Sequence, residues 1–362
     1  MKRMKDEGGR MKLEFAIIKK IAAKRPSSSL IPHPSSFATL FLAALCFTTG
    51  CSRQPSNEVV IYCSVDQVHA EPILKEFEKQ TSIRVKAVYD SEAVKSVGLV
   101  NRLRVEAKNP QADIFWNNEI AGTYQLYWQN IVDKPRLFAA RARVLVFNSK
   151  MVKADDAPHS IFDLTAPKWR GKVAMAYPLF GTTSTHAAAL FAALGAKSAE
   201  TYYLALKEND VQLFEGNSVA CEQVARGQCL VGITDTDDFW ERKSSGLPIE
   251  MVYPDQTAST SRLNPQPSVP LGTCIIPNSI SIVKNGLHAS NAGKLVEFLH
   301  SRKTEEKLAF GPSHQMPMLW EHSPLPEGMR PLSQIRTMDV NPASVADALP
   351  GAVELLQRLF TR

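Results

Sequence analysis

Between Glu58 and Trp116 three apolar runs alternate with two amphipathic stretches, and this order constrains the fold more than anything else in the chain. Glu58-Val-Val-Ile-Tyr-Cys-Ser64 reads as a buried strand that ends in a polar turn, Val65-Asp66-Gln67-Val68-His69. Pro72 then starts a helix with Ile73, Leu74 and Phe77 on one face, because proline suits a first turn whose N–H needs no partner. Ile83 to Val88 alternates as a second strand, and Glu92 to Ala107 forms an amphipathic helix broken by Asn109-Pro110. Asp113-Ile-Phe-Trp116 is a third strand, with Asn117-Asn118-Glu119 at its end. A β-α-β-α-β order implies a parallel sheet with crossover helices.

The segment Gly216–Trp240 repeats the logic farther along. It reads as a polar loop, a helix beginning at Cys221, a Gly stop, a short strand beginning at Cys229, and an acidic loop. Asp235, Asp237 and Asp238 crowd the carboxyl end of that strand, where open α/β sheets bind ligands. Carboxylates so close repel one another unless a cation, donors or water neutralise them. Elsewhere the residues give strands at Arg143–Asn148, Val173–Ala176, Leu247–Tyr253, Val269–Ile276 and Ser279–Val283. A turn region covers 161–172, an Ala-rich helix runs to Leu194, and further helices lie near 198–209, 291–300, 303–310 and 341–362. Thr257 to Pro270 and Pro312 to Arg330 read as loops.

The 362 residues leave room for two domains. Residues 1–51 carry nine Lys/Arg and three Asp/Glu, and so account for the whole net charge of +6. The remainder is neutral, which gives no support to a nucleic-acid face. Basic residues at 19, 20, 24 and 25 precede the apolar run Phe37–Phe47, about the length of a signal core and too short to span a bilayer. Thr48-Thr49-Gly50-Cys51 has the form of a lipobox, so Cys51 becomes the lipidated first residue of an exported protein. Thr48 stands where Leu is usual, and secretion without a lipid is the alternative. Export permits disulfides, and Cys221 and Cys229 could pair or stay as two buried thiols. No Cys-x-x-Cys spacing points to zinc or redox chemistry.

Four polar loops fall at strand ends: Ser64 to Gln67, Asn117 to Glu119, Gly181-Thr182-Thr183-Ser184-Thr185, and Thr234 to Asp238. Gly181–Thr185 precedes a helix, and its amides and hydroxyls suit an oxyanion; an ordinary N-cap would need only one of them. Asn217-Ser218 reads as a second cap. Glu119 and Asp66 are candidate ligands that could equally be solvated acids, and Trp116, Phe239 and Trp240 read as core or pocket wall. There is no GxSxG, HExxH, P-loop or GxGxxG, so an enzyme, here one using Asp237 or Asp238 as acid or base, is the weaker class.

In order along the chain, VVIYCSVD (Val59–Asp66), ADIFWNNE (Ala112–Glu119), FAARARVLVFNS (Phe138–Ser149), LTAPKWRGKVA (Leu164–Ala174), GNSVACEQVARGQ (Gly216–Gln228) and VPLGTCIIPNSISIVKN (Val269–Asn285) resemble the bacterial periplasmic iron(III)-binding proteins of ABC importers. The resemblance implies an α/β type II periplasmic binding fold, two lobes with a hinge and an interlobe ligand cleft. The N-terminal lobe would be residues 58–145 plus 273–325, and the C-terminal lobe 146–272 plus 326–362. It implies no enzymatic activity and no catalytic cofactor. The protein would be a monomer anchored to the membrane by its lipid, partnered by a permease and its ATPase and by no nucleic acid. Glu119 matches a carboxylate ligand of the family, while Asp66 or Gln67 stands where a His is common. Thr236-Asp237 stands where the family has two adjacent Tyr. Ser64, Gly181, Thr182, Thr183, Ser184, Asn217 and Thr236 fall around the place of a phosphate or carbonate. Asp66, Glu119, Asp235, Asp237 and Asp238 make a hard oxygen set for Fe(III) or a similar ion. The alternative cargo is a phosphonate, sugar phosphate or other organic anion, its acid group on the hydroxyl loop.

Overall fold

A computed structural model describes residues 57–90, 97–257, 270–320 and 324–361. Cys51 and the leader, the start of the helix expected from Glu92, and most of the Thr257–Pro270 loop lie outside these residues. The first lobe is built on β1 (Glu58–Cys63), β2 (Arg84–Tyr89) and β3 (Ile114–Asn117), with β1 parallel to both neighbours. Helices α1 (Gln67–Thr81) and α2 (Val97–Val105) make the crossovers. Helix α1 begins at Gln67, ahead of the expected start at Pro72. Pro72 sits inside the helix, past the first-turn N–H groups that need no partner, so α1 forgoes one hydrogen bond there, to the Val68 carbonyl. The polar turn after β1 is therefore short, and Asp66 stands at the N-cap position of α1. Helix α3 (Ala121–Trp128), which the residue pattern does not announce, follows β3 directly.

Strand β4 (Arg136–Asn148) is longer than the six residues expected, and it crosses between lobes. Its first half pairs with β9 (Ile275–Ile282) and its second with β7 (Val231–Asp235) and β8 (Ile249–Val252), all antiparallel. Pro277 does not split β9 into two strands, as the sequence suggests. The β4 register shifts opposite it, between Phe138 and Ala140, and this bulge accommodates a residue with no N–H. Ala139 in the bulge has φ 38°, its N–H held by Glu305 Oε1 at 2.7 Å and its carbonyl by Asn278 Nδ2 at 2.6 Å.

The second lobe adds β5 (Val173–Ala176) and β6 (Gln212–Phe214), with β5 parallel to β6 and β7. Helices α4 (Gly181–Leu194), α5 (Ala196–Glu208), α6 (Asn217–Ala225) and α7 (Thr236–Ser244) surround it. After β9 come α8 (Ala289–Leu299) and α9 (Arg302–Phe310) on the first lobe. Helix α10 (Pro342–Phe360) packs on α4, α5 and α3. The strand order is β2-β1-β3-β9-β4-β7-β5-β6, with β8 also on β4. Val59, Ile61, Phe77, Trp116 and Ile280 anchor one core; Leu145, Tyr202, Tyr203, Val231 and Leu356 anchor another. Among the described residues no helix is long and apolar enough to cross a membrane.

Cys221 and Cys229 are free, buried thiols, so the suggested bond between them is absent, and Cys63 and Cys274 are buried as well. Cys221 lies midway along α6 on its buried face, and its thiol donates to the Asp238 carbonyl at 3.7 Å. Burial pushes the Cys229 thiol up to about 11 and that of Cys274 up to about 12, so both stay protonated.

Candidate functional site

A solvent-open cleft of about 530 Å³ brings residues of both lobes together. From the first lobe come Asp66, at the end of β1, and Asn118. From the second come Gly181, Thr182 and Thr183 in the first turn of α4, Asn217 and Ser218 in the first turn of α6, and Asp235, Asp237 and Asp238. Arg141 of β4 lines the cleft as well.

Two of the four expected polar loops fall in the first turns of helices. The Gly181–Thr185 hydroxyls belong to α4 itself, and Gly181 takes φ 55°, a backbone state that glycine adopts without a Cβ clash. Likewise there is no acidic loop after β7. Asp235 is its last residue, and Asp237 and Asp238 are in the first turn of α7, where negative charge meets the positive end of the helix dipole. Carboxylate oxygens of Asp235, Asp237 and Asp238 lie within 4.8 Å of one another.

Two buried guanidiniums, unanticipated from the residue pattern, hold this cluster together. Arg143 is fully buried, and its Nη1 donates to Asp235 Oδ1 at 2.8 Å and to Asn217 Oδ1 at 3.0 Å. Thr182 Oγ1 donates to Asp235 Oδ2, which also accepts from Asn217 Nδ2 at 3.2 Å. Thr183 Oγ1 donates to Asn217 Oδ1 at 3.1 Å. Asp235 is thus the internal anchor joining β7 to the N-termini of α4 and α6, with both oxygens engaged. Arg141 forms an ion pair with Asp237 Oδ2 at 3.3 Å. Burial opposes its charge, but the carboxylates of Asp237, Asp235, Asp66 and Asp238 prevail and hold its pKa above the ordinary arginine value. Asp238 Oδ2 accepts from Thr234 Oγ1 at 3.0 Å.

Four of the expected site residues point elsewhere. Glu119 does not line the cleft. Its carboxylate accepts from Ala121 N (2.6 Å), Gly122 N (3.0 Å), Asn117 Nδ2 (2.8 Å) and Thr185 Oγ1 (3.0 Å), fastening the start of α3 to α4. A Cβ on Gly122 would lie 2.7 Å from this carboxylate, so glycine permits the arrangement. Burial raises the Glu119 pKa, with the four donors acting against the rise. Ser64 Oγ accepts from Asn118 N at 2.9 Å, Ser184 Oγ donates to the Gly181 carbonyl at 2.9 Å, and Thr236 Oγ1 accepts from Ala142 N at 3.1 Å. Each satisfies a backbone group. Trp116 and Phe239 are core, while Trp240 stacks on His314 with ring centroids 4.9 Å apart.

Arg141, Arg143 and Glu215 are not singled out by the sequence. A signal for the first two was present. Arg141-Ala142-Arg143 interrupts an otherwise apolar strand at alternate positions, placing two cations on one buried face.

This arrangement is that of a two-lobed binding protein, and comparison with known proteins gives the same class. The family described as "Bacterial extracellular solute-binding protein" matches residues 60–309, and the chain belongs to it. The chain is 21% identical over 272 residues to the major ferric iron-binding protein of Neisseria meningitidis, covering 69% of this chain and 78% of that one. Among solved structures, iron-bound HitA from Pseudomonas aeruginosa superposes with a TM-score of 0.72 at 19% identity, covering 84% of this chain and 99% of that one. The periplasmic binding protein AfuA from Actinobacillus pleuropneumoniae, solved with exogenous fructose-6-phosphate, gives 0.69 at 21% identity, covering 83% and 98%. The fold is the type II periplasmic binding fold, and the protein is a non-enzymatic solute-binding component of transport.

Proposed function

We propose that this chain is the substrate-binding protein of an ABC importer whose cleft takes a hard cation, ferric iron foremost, together with an oxyanion. The observation that carries the reading is the Asp235/Asp237/Asp238 cluster, within 4.8 Å, beside the N-termini of α4 and α6. Around the cleft the carboxylates of Asp66, Glu215, Asp235, Asp237 and Asp238 face two guanidiniums, Arg141 and Arg143, a formal excess of three negative charges. Such an excess favours a cation, and carboxylate oxygens suit a hard one. Asp66, Asp237 and Asp238 are the proposed ligands, with Asp235 orienting the wall behind them. The amide and hydroxyls of Gly181–Thr183, with Asn217 and Ser218, are the proposed seat of phosphate or carbonate. Lobes at 58–145 plus 273–325 and 146–272 plus 326–362 would close on the cargo. Residues 1–51 would direct export to the periplasm, with Cys51 lipidated and the monomer presented to a permease and its ATPase.

Metal analysis and melting of the purified protein, before and after ferric citrate, test this. Retained iron and a higher melting temperature are expected; no retained metal with unchanged melting sinks the proposal.

A second reading, a phosphorylated or phosphonate solute bearing an amine or hydroxyls, draws on Arg141 in the cleft and on Thr236-Asp237 in place of paired tyrosines. It predicts stabilisation by sugar phosphates or aminoalkylphosphonates in metal-free buffer, where ferric iron plays no part.

A further inference from the structure

Strands β1 and β3 carry Asp66 and Asn118 to the cleft at their carboxyl ends. Their amino ends lie at the opposite end of the first lobe, and the chain returns there repeatedly. Helices α1 and α2 run back to it as crossovers, α3 runs to it from the end of β3, and β9, antiparallel to β3, reaches it with Ile282 opposite Ile114. Large apolar side chains stand in water at these returns: Val105 at the end of α2 (85% exposed), Tyr127 and Trp128 at the end of α3 (37% and 49%), and Leu287 in the turn after β9 (77%). Single exposed apolar groups are ordinary, but these are four of the eleven such side chains among the described residues, and they share one end. Hydrogen bonds tie the returns together. Arg104 of α2 donates through Nη2 to Gln125 Oε1 of α3 at 2.8 Å and through Nε to Gln129 Oε1 at 3.1 Å. Lys284 N donates to the Ile131 carbonyl at 2.9 Å and His288 N to Asp113 Oδ1 at 2.7 Å, which fixes the Leu287 turn between the exit of α3 and the start of β3.

The surplus charge here is positive. Glu58, Glu78, Glu106 and Asp133 each pair with a lysine or arginine. Exposed Lys79, Lys108 and Lys134, in the segments leading into β2, β3 and β4, belong to no ion pair among the described residues. The same end receives the chain from its leader. Asn57 Nδ2 donates to the Ser82 carbonyl at 2.7 Å and the Asn57 carbonyl accepts from Arg84 N at 2.9 Å, so the entry point is fixed beside the α1–β2 turn. Cys51 is six residues earlier in the sequence, and a chain of that length spans at most about 20 Å. A lipid on Cys51 therefore cannot hold the bilayer farther than that from the entry point. Indole and phenol rings favour the boundary between headgroups and acyl chains, and lysines favour anionic headgroups. Such a face binds a bilayer weakly alone, but a short tether presents it at an effective concentration on the order of millimolar.

We infer that the amino end of the first lobe's sheet is a membrane-docking face: with Cys51 in the bilayer, Val105, Tyr127, Trp128 and Leu287 settle into the headgroup region. The partner is a bilayer containing anionic phospholipid. Strand β1, six residues at about 3.3 Å each, then holds Asp66 about 20 Å above the surface, with the cleft turned away from the bilayer. The inference rests on the reading that Cys51 is lipidated and is independent of the cargo.

The test places the mature lipoprotein in vesicles of phosphatidylethanolamine and phosphatidylglycerol whose acyl chains carry bromine, a short-range quencher of tryptophan. Trp116, Trp169 and Trp320 are buried and Trp240 stacks on His314, so quenching should fall on Trp128. Trp128→Phe should lose most of the quenching seen in the wild type. Leu287→Trp should raise it, whereas Leu204→Trp, at an exposed position of α5 in the second lobe, should not. Both added rings stand at exposed positions, so neither loads the core. The mass of the amino-terminal peptide reports acylation separately. An acylated protein whose quenching is absent, is unchanged by Trp128→Phe, or fails to rise in Leu287→Trp overturns the docking face and leaves the anchor reading standing. The same result in a protein that sediments as a dimer gives the face to a second copy instead. An unacylated Cys51 overturns both.

Discussion

Replacing Arg143 by Met would test whether the Arg143–Asp235 pair is the keystone of the second lobe's cleft wall. Arg143 has no exposed side-chain surface and Asp235 only 3%, and they meet at 2.8 Å. Methionine keeps much of the volume but strands a buried carboxylate and deprives Asn217 Oδ1 of a donor. Removing one partner of a buried ion pair costs about 3–5 kcal/mol, most of it the penalty on the charge left behind. With an unfolding entropy of about 2.1 cal/mol/K per residue, the unit Pro55–Arg362 gains roughly 0.6 kcal/mol/K, so the melting temperature should fall by about 5–8 °C. Arg143→Met/Asp235→Leu removes both charges and should recover most of this loss, because two apolar groups of fitting shape leave nothing stranded. Melting followed by circular dichroism on wild type, single and double variants measures both quantities. A single variant melting within about 1 °C of wild type, or a double variant no more stable than the single, refutes the reasoning.

Two further outcomes follow from the same geometry. Glu119→Ala removes the acceptor of four donors at the α3 start and should cost about 2–5 kcal/mol, yet leave iron retained per folded molecule unchanged, whereas Asp237→Ala should lose the iron. Melting and metal content on the two variants separate a structural acid from a cargo-binding one. Asp255, buried and accepting from Ser160 Oγ, is pushed by burial from 3.8 up to about 6. A folded-state value above the unfolded one means stability present below pH 3.8 and lost as pH rises through about 6. Between pH 4 and 7 the wild type should lose about 2 kcal/mol more than Asp255→Asn in urea titrations, and parallel pH profiles for the two would contradict this.

The β-α-β order was legible because parallel strands buried on both faces appear as unbroken apolar runs, as in Val59–Cys63 and Ile114–Trp116. What could not be read locally was whether a polar group at a strand end turns inward or toward the cleft. Glu119 sits at such an end, but Ala121 and Gly122 present free N–H groups within reach, and a carboxylate two residues ahead of a helix's first residue can satisfy them. The glycine was the available clue. Asp235 and Asp237 illustrate the same limit over a longer range. Two residues apart, they differ in role because β4 meets β7 with Arg143 opposite Asp235, while Arg141 reaches Asp237 on the helix that follows. That register joins segments about ninety residues apart in sequence and is carried by the pairing of Val144, Leu145 and Val146 with Thr234, Ile233 and Gly232 of β7. A one-residue slip would turn both arginines away from the cleft. The cleft's charge pattern is therefore set by the packing of the apolar residues between the arginines and the acids, and no local reading of the acidic segment alone could supply it.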